Sequence, residues 1–408
     1  NQSIYKNYFY NNPNNFTKLK TPTDIIIPVY NGYEFLAPLF QSIKENTLSE
    51  YRLIVIDDAS PDTKVKPFLK NELKKFDNAL LIENEVNLGF VQSVNKAVKQ
   101  AENNFVILNT DTEVPSYWLE RLMSPFEKDK KIATTTPFTN AGTIASFPNF
   151  IEDNKIFLDL SVEELDSYFK RVNPKEIYEE MPTGVGFCMG VNYALVQKID
   201  FFDEETFYKG YGEENDWCQR AINAGYANIM VPNLFVYHKH GGSFLSEDKI
   251  KYIEDNLVKL SQKHPNYGRD VDAFIQKNPY KALRESLIIT IASQQGDGIF
   301  LLIDHALGGG ANHYADDLLS SHQKNSEKTL KLSYDFYTNL YRVNFQDNLH
   351  DISLTIESFK EVKAFLTDLK IKEIFINELV TFKNIDGHIE LIKSIKNKNK
   401  ASLTIPIH

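Results

Sequence analysis

Cysteine is scarce: the chain has two, Cys188 and Cys218, and no CxxC pair. Neither a disulfide framework nor a zinc-ribbon spacing is available, and a reduced, cytoplasmic compartment is the expectation. Long apolar runs are missing too. The best, "SLIITIASQQGDGIFLLI", is broken in its middle by Ser, Gln, Gly and Asp and is not a membrane span, which leaves peripheral contact with the inner face of a membrane open. Positive charge is not in excess, with 45 Lys and Arg against 55 Asp and Glu and a net charge of −10. No global basic field exists to hold a nucleic acid backbone. The first half contains neither G-x-G-x-x-G nor G-x-x-x-x-G-K-[ST], so dinucleotide and P-loop readings fail.

What is present is an ordinary globular composition, 42% hydrophobic and 25% charged, over 408 residues. That length is large for one core and predicts two domains. The chain opens on Asn1, not Met, as a piece of a longer protein would. Residues 1–22, rich in Asn and Tyr without a period, read as an N-terminal arm. From Asp24 the pattern changes. "DIIIPVY", "YRLIVIDDAS", "NALLIENE" and "NFVILNTD" are short apolar runs of the kind buried on both faces of a sheet, and helical segments separate them. Alternation of this kind predicts an α/β fold with a mainly parallel sheet over 23–245. Residues 246–297 read as a charged helical connector. From Gly298 a second α/β pattern begins, "GIFLLIDHALGGGANHYADDLL", and the chain stops just after what reads as a strand. Residues 298–408 are therefore expected to be part of a second, Rossmann-like domain.

In parallel sheets ligands bind beyond the carboxyl ends of the strands, and four strands here end in polar residues. Asn109, Asp111 and Glu113 alternate after one of them. Asp57 and Asp58 end another, and Asn87 and Gly89 follow a third. A hard cation takes oxygen ligands, usually one or two protein carboxylates plus substrate phosphates. The acidic strand end suits such an ion, though the same residues also make ordinary Asx-type turns. "GEENDW" places Glu213, Glu214 and Asp216 in one short acidic stretch, as a general base or as a plain helix N-terminus. His238 and His240 follow an apolar strand, where a histidine is either structural or, as a neutral imidazole, a competent ligand for an ion such as Mn2+.

"DIIIPVYNG", "LIVIDDASPD", "NLGFVQSVNKA", "NTDTEVPSYWLERL", "GYGEENDWCQRAINAGY" and "VYHKHGGS", in that order, resemble family 2 glycosyltransferases of the GT-A fold over about residues 23–244. The resemblance implies a GT-A nucleotide-diphospho-sugar transferase fold and an inverting transfer that uses Mn2+ or Mg2+. It implies a UDP- or dTDP-sugar as donor, and a hydroxyl of a glycan or lipid-linked molecule as acceptor. It gives Asp57 or Asp58 the nucleobase, and Glu214 the role of catalytic base. The family's D-x-D motif falls on Asn109-Thr110-Asp111, so an asparagine replaces its first aspartate and Asp111 is left as the metal ligand, with His238. Donor binding is expected at Pro28, Tyr30, Asn31, Asp57, Asp58, Asn87, Gly89, Asn109, Thr110, Gly184 and Glu213. The Q-x-x-R-W motif of processive members is absent, which favours one sugar per encounter and, with the resemblance, a place in bacterial surface polysaccharide synthesis. Residues 298–408 resemble the start of a GT-B, family 4-like domain, expected to be inactive by itself. Two rivals remain. A nucleotidyltransferase would want a basic phosphate loop, where "PVYNGYEF" has no Lys or Arg. An inactive glycan-binding scaffold would have no use for Asp111, Glu214 and His238 together.

Overall fold

The computed structural model describes residues 3–10, 15–174, 178–208, 210–239, 247–307 and 310–406. It divides into two compact units, one of residues 10–278 and one of residues 1–9 with 279–408.

The chain opens with β1 (Ser3–Tyr5), which belongs to the second unit. The 10–278 unit then runs β2 (Thr23–Val29), α1 (Tyr33–Asn46), β3 (Tyr51–Asp57), α2 (Val65–Glu72), β4 (Ala79–Glu83), α3 (Phe90–Val98), β5 (Phe105–Leu108), β6 (Thr112–Glu113), α4 (Trp118–Lys128) and β7 (Ile132–Phe138). It continues with α5 (Val162–Phe169), β8 (Glu180–Met181), β9 (Cys188–Val191), α6 (Tyr193–Ile199), α7 (Glu213–Asn223), β10 (Ala227–Phe235), β11 (Tyr237–His238), α8 (Glu247–Lys263) and α9 (Tyr267–Lys277).

Its main sheet has the order β4-β3-β2-β5-β9-β7-β10-β8. β4, β3, β2 and β5 are parallel, as the alternating pattern predicts. β9 then enters antiparallel between β5 and β7, a placement no local pattern encodes. The β-branched run of β2 is explained by burial on both faces. Ile25, Ile27 and Val29 pack with Leu36, Phe40 and Trp118 on one side, and Ile26 packs with Val91, Val94 and Trp217 on the other. Since alternate strand residues point to opposite faces, a strand covered twice has no position left for an exposed polar side chain. A small antiparallel pair, β6 with β11, stands apart from the main sheet and sets His238 opposite Thr112.

The second unit adds α10 (Lys281–Gln294), β12 (Ile299–His305), α11 (Gly310–Lys324), β13 (Thr329–Asp335), β14 (Leu340–Gln346), β15 (Asp351–Ile356), α12 (Phe359–Asp368), β16 (Ile371–Ile376), α13 (Ile385–Asn399) and β17 (Ser402–Thr404). Its sheet order is β1-β15-β14-β13-β12-β16-β17. β13, β12, β16 and β17 are parallel, whereas β13, β14 and β15 form an antiparallel meander that a purely doubly wound half lacks.

Two expectations differ from this arrangement. The opening of the 1–22 arm is a strand: β1 pairs in parallel with β15, and Tyr5 is fully buried against Phe365. Three residues are too few to write a period, so the sequence carries no sign of it. The 246–297 connector is not one element either. α8 and α9 fall in the 10–278 unit and α10 falls in the second.

Candidate functional site

Asp57 and Asp58, equivalent in the sequence, have different surroundings. Asp58 Oδ1 accepts from Leu88 N at 2.7 Å and from Asn84 Nδ2 at 2.8 Å, and its Oδ2 accepts from Gly89 N at 2.9 Å. Its carboxylate is committed to shaping the 87–89 turn, where Asn87 Oδ1 also accepts from Gly89 N. Asp57 accepts from Ser60 N through Oδ1 at 3.1 Å. The turn after β2 is tied to the same loop, with Asn31 N donating to Ser60 Oγ at 2.9 Å and Asn31 Oδ1 accepting from Asp62 N at 3.1 Å. Pro28 is the penultimate residue of β2, and Tyr30 beyond it is exposed.

The expected D-x-D stretch lies next to that turn. Asn109 N donates to Phe187 O at 2.9 Å, and a Cβ on Gly32 would lie 3.9 Å from Thr110 Oγ1. Asp111 Oδ1 is 3.3 Å from His238 Nε2. His238 is held from three directions. Its backbone N donates to Asn140 Oδ1 at 2.9 Å, its carbonyl accepts from Asn140 Nδ2 at 2.9 Å, and its ring stacks on Phe187 with centroids 5.2 Å apart. Nδ1 lies 3.1 Å from Ala141 O. A carbonyl can only accept, so the proton is on Nδ1 and the Nε2 edge faces Asp111, the second-sphere device that fixes a metal-binding imidazole. Burial lowers the proton affinity of His238, but Asp111 and the Ala141 carbonyl outweigh it and leave a net rise. Glu113 is 3.4 Å from Lys239 Nζ and is therefore paired elsewhere. His240 lies outside the described residues.

Asp111 and His238 fit a divalent cation as a carboxylate oxygen and an oriented imidazole. Among the described residues no third His, Cys, Asp or Glu joins them, which matches a hard ion that completes its shell from phosphate oxygens and water.

The second acidic cluster opens α7. Asp216 is fully buried and held by His264 Nε2 at 2.7 Å, Lys263 Nζ at 2.8 Å and Arg220 Nε at 2.9 Å. Burial works to raise its proton affinity, yet the hydrogen bonds from Lys263, His264 and Arg220 keep it below the usual carboxylate range. Glu213 and Glu214 have no such partners. Burial pushes Glu213 up while the amides of Tyr211, Gly212 and its own residue pull it down, for a net rise. Burial, then the Glu213 charge, raises Glu214, against one backbone bond from Gly186. Glu214 is half-buried. A Cβ on Gly186 would overlap Glu214 Oε2, so the 184–187 loop lies directly against this carboxylate, and a larger residue there would push the Glu214 side chain aside.

Three of the expected donor-binding residues have surroundings of their own. Asp58 shapes the 87–89 turn. Gly184 is buried, packed against Met189 and Thr134, and it is Gly186 that faces Glu214. Glu213 is 5% exposed, with Oε2 lacking any hydrogen-bond partner among the described residues. No sequence signal marks Asn140 or His264, because each acts through a contact with a distant part of the chain.

Residues 24–200 match the family model described as Glycosyl transferase family 2. The chain carries a glycosyltransferase domain. The matched span holds Asp57 and Asp111 and stops short of Glu214 and His238. The teichoic acid poly(glycerol phosphate) polymerase of Staphylococcus epidermidis is 26% identical over 152 residues, 36% of this chain and 20% of that protein. The chondroitin synthase of Escherichia coli is 24% identical over 274 residues, 60% of this chain and 39% of that protein. The chain therefore spans two-fifths or less of the length of these relatives. A mannosyltransferase from Pyrobaculum calidifontis, solved with GDP-Man and Mn2+, shares 14% identity at a TM-score of 0.46, over 74% of this chain and 80% of that one. No helix among the described residues is long and apolar enough to cross a membrane.

Proposed function

We propose that the 10–278 unit moves one sugar, with inversion at the anomeric carbon, from a nucleotide-diphosphate sugar to a hydroxyl of a glycan or lipid-linked acceptor. The observation that carries this reading is the meeting of Asp111 with an oriented His238 at 3.3 Å. The donor would be a UDP- or dTDP-sugar, and the named activities of the polymer-synthesising relatives support a place in bacterial surface polysaccharide synthesis.

Asp57, with Pro28, Tyr30 and Asn31 at its side, would receive the nucleobase. The amide-lined turn at Asn87 and Gly89, with Asn109 and Thr110, would border the ribose and phosphates. Asp111 and His238 would hold Mn2+ or Mg2+, and such an ion, when bound, offsets the charge that develops on the departing diphosphate. Glu214 takes the proton of the acceptor hydroxyl while that oxygen bonds to the anomeric carbon and the bond to the diphosphate breaks. A single displacement of this kind inverts the centre. A general base is most effective when its pKa lies near the working pH, and the raised proton affinity of Glu214 meets that need. The second unit is proposed as a Rossmann-like half without transfer activity of its own.

Binding and turnover together test this reading. A thermal-shift screen of UDP- and dTDP-sugars with and without Mn2+ should show stabilisation that depends on the metal. Transfer by Glu214→Gln should fall about a thousandfold with donor binding intact. Turnover near the wild-type rate in that variant refutes the base assignment.

A further inference from the structure

The segment that delivers Glu214 is unusually contorted. Gly210, Tyr211 and Gly212 have φ of 99°, 68° and 133°, three successive residues in the left-handed half of backbone space. Glycine accepts this readily, but tyrosine does not, and a strained non-glycine residue persists only where its surroundings over-determine it. Here they do. Asn256 of α8, 1% exposed, donates through Nδ2 to Gly210 O at 2.7 Å. Lys259 Nζ of the same helix donates to Asn256 Oδ1 at 3.0 Å. A Cβ on Gly212 would strike the Phe207 ring at 2.8 Å, so the turn is packed against that ring. The buried Glu213 carboxylate lies under the turn, 3.7 Å from where a Cβ on Gly210 would sit, and its Oε2 is the atom without a hydrogen-bond partner among the described residues. A third glycine would relieve the strain at the middle position. The chain has Tyr211 there instead, 43% exposed and two residues before the first residue of α7.

We propose that this turn is the acceptor platform, and that Tyr211 receives the apolar face of an acceptor sugar ring so that the ring's hydroxyl meets Glu214. Tyrosine suits such a role because it offers a large, rigid contact surface at low conformational cost, with a hydroxyl at its wet end. The acceptor class that follows is a carbohydrate with a pyranose ring, rather than a glycerol phosphate or a bare polyprenyl phosphate, neither of which has a ring face to stack. Asn256 is a positioning residue, acting through the Gly210 carbonyl. This inference rests on the glycosyltransferase reading and names the acceptor for it.

The experiment uses the full chain with UDP and Mn2+ and a panel of methyl glycosides of glucose, galactose, mannose, N-acetylglucosamine, N-acetylgalactosamine and glucuronic acid, followed by saturation-transfer NMR. At least one glycoside should bind. Tyr211→Ala should weaken it tenfold or more, and Tyr211→Trp should keep it within threefold. Asn256→Leu should weaken it as well, with circular dichroism and thermal unfolding recorded to separate misfolding from loss of the turn. UDP affinity, measured by calorimetry, should stay within twofold in Tyr211→Ala. Glycoside binding that survives Tyr211→Ala, or no binding by any member of the panel to the wild type, overturns the proposal. Failure of the wild type itself to bind UDP would instead overturn the glycosyltransferase reading.

Discussion

Asp57, Asp58 and Asp111 lie at strand ends, where backbone amides and one imidazole meet their carboxylates. Glu213, Glu214 and Asp216 lie within one turn at the start of α7, where a single member, Asp216, gathers Arg220, Lys263 and His264 and the other two are left to burial and to each other. The first arrangement commits Asp58 to its turn and leaves Asp57 and Asp111 with fewer partners. The second keeps two carboxyls with raised proton affinity beside one that is locked in its ionised form. Acidic residues close in sequence therefore differ in proton affinity according to whether a cation is built in beside them.

The largest effect expected from breaking this contrast is on transfer. Glu214→Gln should lose about three orders of magnitude in rate, measured with labelled donor and acceptor. Next comes stability. Asp216→Ala leaves Arg220, Lys263 and His264 around a vacated carboxylate and should cost about 3 kcal/mol, read from denaturant unfolding. Asp57→Ala, which gives up one bond to Ser60 N, should cost about 1 kcal/mol and instead weaken nucleotide binding. Equal stability losses in the two variants contradict the contrast.

A pH series sharpens it. A carboxyl that binds its proton more tightly in the folded state contributes stability below the ordinary carboxylate pKa and loses that contribution as pH climbs through the raised value. Glu213→Gln has no charge to bury, so its melting temperature should exceed that of the wild type at pH 8 by more than at pH 5. Transfer by the wild type should rise over the same interval, as Glu214 loses its proton. The smallest effect belongs to Glu113→Ala. Its partner Lys239 is 3.4 Å away on the surface, and stability should change by less than about 1 kcal/mol with Mn2+ affinity unmoved.

Much of the 10–278 unit was legible in the sequence because buried parallel strands leave plain apolar runs, and their polar ends mark the side where ligands bind. Asp111, His238 and Glu214 were singled out by the resemblance to family 2 glycosyltransferases. A polar strand end, a strand-end histidine and an acidic run by themselves equally fit a turn, a structural histidine and a helix N-terminus. The choice between Asp57 and Asp58 was not legible, since it turns on the backbone amides of Leu88 and Gly89, far along the chain. The antiparallel entry of β9, the pairing of β1 with β15, and the support that α8 gives to α7 through Asn256, with His264 just beyond it, share that limit. Each joins segments far apart in the chain, and none imposes a period on the residues that make it.

The pairing of Asp111 with His238 is tested most directly by electron paramagnetic resonance of free Mn2+ titrated with the protein in the presence of UDP. The wild type should deplete the free-ion signal, and both Asp111→Asn and His238→Ala should weaken that uptake tenfold or more. Uptake as tight in both variants as in the wild type would place the ion elsewhere and contradict the proposed site.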